Sequence, residues 1–458
     1  MKSYLHHIVF IACISIVLFS IAGCQKAEDI KIFANKPEKE LLGFTGGSSN
    51  LNRLKIVHLY KDTVYNLQQN FTREAGEELV IDEGTLIKVA SAGQPVGITI
   101  NAGGSIIANG TRENPIVFTS SSYTTTQNKN WNGIVIQGKS VNNQSNPGGD
   151  LTDFSGSLTF VRIEFAPLVL NSVGDRTIIE NVQVSYAGPQ SSFEINGGRF
   201  KGRNLISYAC GGPADFYIVN GYSGKMQNVL AYRHPYFGSF GNNPVNALCG
   251  VFIENNPFNP VNARPYTYPK ISNLTVLGPN AQNGSVAQYA DTNLRSAALI
   301  TTNSTGFLIR NSLFLGYPAN CWYLDDSLTA YGIRYNYSEL KYSILHCNNN
   351  DRTFYLLPGK YPPFEWPAFK NFMLQDRFNN KVFTNTADFM FDDPFNYDDP
   401  RLLPKENSPV LTGANFEGTE FSDAFFEKVN YLGAIGSYDW LKGWTNFKPL
   451  NTNYNFPK

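Results

Sequence analysis

Residues 180–202, ENVQVSYAGPQSSFEINGGRFKG, run directly into 203–226, RNLISYACGGPADFYIVNGYSGKM, and the second stretch is a close variant of the first. Anchoring on the aromatic before the turn gives Phe165, Tyr186, Tyr208 and Tyr232, at intervals of 21, 22 and 24 residues. A second anchor, Phe193 and Phe216, repeats after 23. A fixed period of this length marks stacked units that share one core. Each unit holds two short runs of alternating apolar and polar residues, parted by Gly, Pro and Ser, and no helical periodicity competes. A strand–turn–strand coil of about 22–24 residues laid on the next predicts an all-β parallel β-helix.

Alternation then predicts faces. Val161, Ile163 and Phe165 point one way, with Val182, Val184 and Tyr186, as the inner set. Arg162, Glu164, Gln183 and Ser185 point outward. Ile206–Tyr208 and Leu230–Tyr232 continue the inner rows, which makes the tyrosine column an internal aromatic stack rather than a sugar-binding stripe. Asn204 and Asn228 meet at a corner, where successive amides can hydrogen-bond along the axis.

The same grammar extends upstream through EGTLIKV and GGSIIANGTRENPIVFTS, and downstream through SNLTVLGP and YSILHCN. The 45 residues between Asn228 and Asn273 imply an inserted turn or a bulging loop. The β-helix is placed at 51–349. From residue 350 proline and aromatics break the pattern, and 350–458 reads as an irregular C-terminal cap over the last coil, with a short helix around SDAFFEKV (422–429).

At the start, Lys2, His6 and His7 precede the apolar run IVFIACISIVLFSIAGC. The run falls short of the roughly 20 residues of a membrane span and ends in small residues, as an export signal does. Ile21-Ala22-Gly23-Cys24 reads as a lipobox. The expectation is a signal peptide at 1–23, a membrane anchor through diacylglycerol on Cys24, and a flexible tether at 24–50. Glu28-Asp29 in the tether resembles a surface-export signal, and the expected location is the outer membrane, facing the cell surface.

Formal net charge is zero, from 37 basic and 37 acidic residues, so there is no basic excess to point to a nucleic-acid partner. An exported location permits disulfides, but Cys210, Cys249, Cys321 and Cys347 are widely spread and form no CxxC pair.

The segments EGTLIKV, WNGIVIQGK, FVRIEFA, VQVSYAG, YSGKMQNVLAYR and VNYLGAIGSYDWLKGWTNFKPLN follow in order. By these the chain resembles a largely uncharacterised family of Bacteroidetes lipoproteins with a right-handed, pectate-lyase-like β-helix. The resemblance spans about 56–458 and implies handedness and a surface location, not a reaction. Relatives often carry acidic pairs in turns that here read Gln190-Ser191-Ser192 and Gly212-Pro213-Ala214-Asp215.

Catalysis on such a scaffold needs a base for a sugar proton or two carboxylates. The outward candidates are Arg162, Glu164, Arg176, Glu194 and Asp215; Arg162 and Glu164 share a face but read as a surface ion pair. Cys210 and His234 each follow a repeat tyrosine by two residues, which would stack them at about one strand spacing, roughly 4.8 Å. Asp392, Asp393, Asp398 and Asp399 in DDPFNYDDP offer oxygens to calcium, although Asp-Pro steps also make turns. Asp325-Asp326 is a weaker pair of the same kind.

The aromatics Tyr236, Phe237, Tyr266, Tyr268, Trp322 and Tyr323 are the expected contacts to a glycan or a protein. The leading expectation is a non-catalytic, surface-anchored binding protein without a required cofactor. A polysaccharide lyase or glycoside hydrolase is the alternative, and an adhesive spacer the third.

Overall fold

A computed structural model describes residues 32–41, 55–90, 96–121, 131–146, 148–235, 247–280, 295–357 and 368–454. Cys24, Glu28, Asp29, Tyr236 and Phe237 lie outside them. Strands Gly156–Glu164, Ile178–Ser185, Lys201–Tyr208, Lys225–Tyr232 and Lys270–Leu277 lie side by side in a 17-stranded sheet. Phe193–Asn196, Ala214–Val219, Ala247–Glu254, Arg295–Thr302 and Asn320–Leu324 belong to a ten-stranded sheet opposite. Neighbouring coils pair in parallel throughout these strands, and the fold is a right-handed parallel β-helix.

Each of these long strands of the large sheet carries one left-handed residue near its middle. Asn181, Asn204, Asn228 and Asn273 have φ between 53 and 57°. An ordinary residue loses about 1–2 kcal/mol there, and asparagine tolerates it because its short amide bonds locally. The kink splits the large sheet into two arms, so a coil has three sides: first arm, second arm, ten-stranded sheet. The Asn204 amide donates to Asn181 Oδ1 at 2.9 Å, and Asn228 donates to Asn204 Oδ1 at 3.0 Å. The predicted corner ladder therefore exists. Val229 pairs with Leu274, so the 45-residue interval is a single coil enlarged by loops.

The tyrosine rows need correction. Register pairs Val182 with Leu205, and Ser185 with Tyr208, which in turn pairs with Tyr232. Leu205 and Ser207 therefore face inward, while Ile206 and Tyr208 share the outer face with Gln183. Phe165 and Tyr186 sit one residue beyond their strands at φ 66 and 55°, a turn that falls on Ala209 in the next coil. Aligning the aromatics thus slipped the register by one residue, and a one-residue slip exchanges the faces of a strand. The rings still stack, Tyr186 to Tyr208 and Tyr208 to Tyr232 at 5.6 Å each. Phe193 and Phe216 pair as read, with rings 4.6 Å apart.

What buries the outer tyrosines is the C-terminal region. It does more than close the last coil: residues 391–454 run back along the large sheet as a strap. Tyr208 and Tyr232 donate from their hydroxyls to Tyr397 O and Pro394 O, and Phe447 packs on Tyr208. Arg162 and Glu164, expected in solvent, are buried instead. Arg162 donates to Tyr454 Oη at 3.1 Å, Tyr454 donates to Glu164 at 2.9 Å, and Gln183 exchanges two hydrogen bonds with the Asn446 backbone. Nearer the last coils, Phe421 and Phe426 pack on Leu308 of the first arm.

Residues 422–429 form turns, not the expected helix. The strap ends beside the beginning of the fold, where Tyr454 meets Phe33 edge-on at 6.0 Å. Phe33 is buried and Glu38–Leu41 pairs with Val64–Leu67, so part of the expected tether is packed into the fold. At the other end, Phe354–Leu356 and Lys381–Val382 continue the two sheets beyond residue 349.

Candidate functional site

Most acid–base candidates are committed to the interior. Asp215 lies inside the coil with its carboxylate 3.2 Å from Arg233 and accepts from Ser207 Oγ at 2.6 Å. Burial raises its pKa, against the opposing pull of Arg233. Arg233 also donates to Cys210 O, Gly212 O and Cys249 O, knitting three turns together.

The Cys210 thiol faces Ala214 O at 3.2 Å, and burial pushes its pKa up. A thiol held as the neutral form in a closed interior is a poor nucleophile. His234 packs on Tyr397 at 4.8 Å and is pushed down to about 4 by burial. The four cysteines Cys210, Cys249, Cys321 and Cys347 are all buried free thiols. Arg176 remains exposed over Phe154, and Glu194 pairs in register with Tyr217 on the outer face of the ten-stranded sheet.

In the acidic hairpin two of the four aspartates face an arginine. Arg401 lies 3.2 Å from Asp392 and 3.0 Å from Asp393. Asp398 and Asp399 line an open hollow shared with Lys442 and Lys448. Among the described residues no three His, Cys, Asp or Glu side chains converge as a cation would require. Asp326 caps the helix Ser327–Arg334 through Thr329 N, and Asp325 accepts from Thr302 Oγ1.

The aromatic candidates divide. Trp322 is fully buried among Phe307, Phe354 and Phe369, with its indole N–H on Thr301, so it presents no face to a ligand. Alternation puts it inward, a reading the isolated motif CWYLDD hid. Tyr323 is also buried, on the outer face of the ten-stranded sheet beside Tyr355 and Ile300. Tyr266 and Tyr268 stand where chains pass from the ten-stranded sheet back to the first arm.

At this corner two loops, 255–269 and 325–338, are tied by the Tyr268 hydroxyl donating to Tyr337 O at 2.9 Å. They carry three of the four most exposed large apolar side chains among the described residues: Phe258 (82%), Tyr337 (72%) and Tyr335 (62%). Tyr335 stacks parallel to Tyr331, and the Arg264 guanidinium covers Tyr266 at 3.7 Å.

Beside the corner lies a groove of about 220 Å³ lined by Asp175, Arg199, Lys201, Ser223, Gly224, Lys225, Lys270, Glu420 and Asp423. Lys201, Lys225 and Lys270 are direct register partners on three successive coils. Lys225 reaches Asp423 at 2.5 Å, and Lys270 lies over the Tyr268 ring at 4.6 Å. Burial lowers the Lys270 pKa; Glu420 opposes that, and Arg199 and Lys225 add to it. Gly224 is needed for the tight wall, since a Cβ there would fall 2.1 Å from Phe200 O. Sequence reading missed this set, although each lysine stands three residues before a corner asparagine: Lys201 and Asn204, Lys225 and Asn228, Lys270 and Asn273.

No curated protein and no solved structure matches the chain. The family described as the pectate-lyase like beta helix domain matches residues 51–312, more than half of the sequence, ending just past the corner asparagine Asn311. With the parallel register, the three-sided coil and the stacked corner amides, that match shows that the chain belongs to the pectate-lyase-like β-helix domain family.

Proposed function

We propose that this is a non-catalytic, lipid-anchored β-helix of the outer membrane, of the Bacteroidetes lipoprotein type, that binds a glycan at the cell surface. The observation that carries the reading is the aromatic corner, where Phe258, Tyr266, Tyr335 and Tyr337 stand in solvent on loops braced by a rigid scaffold. Exposed aromatic clusters mark interaction sites, and flat rings present an apolar face with a polar rim, which suits a sugar. Support for a binding rather than a catalytic role comes from Arg162, Glu164, Asp215 and Cys210, all enclosed by packing.

The anchor at Cys24 and the surface location rest on the leader motif. The test is a glycan array probed with the purified chain and with the Tyr335→Ala/Tyr337→Ala variant. Selective binding that the variant loses supports the reading. An array without signal from a folded sample refutes it, and a protein partner then takes the place of the sugar.

A further inference from the structure

We propose that the groove beside the corner binds one anionic group, a carboxylate or a sulfate ester, carried by a sugar unit of the bound glycan. This inference rests on the glycan-binding reading and names its ligand class. Lys201, Lys225 and Lys270 face the groove from consecutive coils, at the parallel-strand spacing of about 4.8 Å. Like charges placed directly opposite one another across strands repel, so such a ladder needs counter-charge.

The charges can be counted. Arg199, Lys201, Lys225 and Lys270 are four cations; Asp175, Glu420 and Asp423 are three carboxylates. Asp423 is taken by Lys225. One positive charge remains, and a single monoanion balances it, whereas a polyphosphate would overshoot. Lysine ammonium groups act as point charges without a preferred planar partner, so carboxylate and sulfate fit equally. The volume agrees: about 220 Å³ lies below the roughly 300 Å³ at which pockets for drug-sized ligands begin, enough for one acidic sugar group and no more. Tyr268, whose face Lys270 covers, connects the groove to Tyr337 on the aromatic corner. A chain stacked on the corner rings would thus direct an acidic substituent into the groove.

The experiment compares the full-length chain in detergent with Lys201→Gln/Lys270→Gln, using polygalacturonate, dextran sulfate and neutral dextran as probes. Removing two charges within contact range should weaken binding of the matching acidic probe about tenfold or more, and 0.5 M salt should do the same to the parent chain (roughly one Debye length of 4 to 5 Å). Which acidic probe responds identifies carboxylate or sulfate. Unchanged affinity for both acidic probes in the variant overturns the groove assignment while leaving glycan binding intact.

If the parent chain binds none of the three, the acidic-glycan assignment fails while the array still decides the glycan reading, and inorganic sulfate then decides the groove by itself. Sulfate that raises Tm in the parent but not in the variant upholds an anion site; equal response in both overturns it. Should the double variant unfold, Lys201→Gln alone, at an exposed position, replaces it.

Discussion

The corner asparagines offer a test in which two physical effects separate. Asn204 sits at φ 55° and takes part in two ladder hydrogen bonds, one with Asn181 and one with Asn228. Replacing it by alanine removes both bonds, at about 0.5–1.5 kcal/mol each. Alanine also keeps a Cβ in the left-handed region without the amide that offsets its cost there, at about 1–2 kcal/mol. The expected loss is therefore about 2–5 kcal/mol.

Glycine loses the same bonds but not the backbone term, and its extra unfolded-state entropy costs only about 0.5–1 kcal/mol. Asn204→Gly should consequently be less destabilised than Asn204→Ala. At Glu180, an extended position on the same arm, the order should be the usual one, with glycine worse. Urea unfolding followed by tryptophan fluorescence reads the midpoints, compared at constant slope. The same rank order at both positions would refute the claim that the left-handed corner holds the coil.

Three further outcomes follow from the packing. Asp215→Asn leaves Arg233 charged and enclosed, and should cost about 3–5 kcal/mol, measured by the same urea titration. His234 is held near a pKa of about 4, below the unfolded value of 6.5. The unfolded chain therefore takes up the proton first, and stability should fall on acidification from pH 6.5 to 4, by about 3 kcal/mol. That slope should flatten in His234→Gln. Trp444→Ala, which removes a buried strap side chain packed against Phe160, should cost about 3–5 kcal/mol. Limited proteolysis should then cut first within 430–454, while the coils stay resistant.

Local grammar made the coil legible. Val182, Val184 and Phe193 occupy the faces that alternation assigns, and Asn204 stacks on Asn181 and Asn228 as a corner residue should. Tyr208 misled because the turn moves by one residue between coils, from Tyr186 to Ala209, and no single period encodes that shift. The strap escaped entirely: nothing near Arg162 or Glu164 in the chain announces that Tyr454 and Asn446 will cover them. Such contacts depend on three-dimensional closure rather than on periodicity. The lysine groove lay between these cases, since its three members keep step with the corner asparagines while intervals of 24 and 45 residues conceal the alignment.

The returning strap also sets an order of assembly. Each coil needs only its neighbour, so stacking can advance from the first coil as the chain is delivered. Arg162 and Glu164, however, wait for partners 282 to 292 residues further on. Until those arrive, an early coil holds a hydrated charge pair on a wet face, and the sheet above it lacks a cover. Delivery of residues 444–454 seals that face and brings Tyr454 against Phe33. A nascent chain halted at residue 430 would have its coils and still leave Arg162, Glu164 and Gln183 uncovered, so that stretch of the large sheet closes only when residues 444–454 are in place.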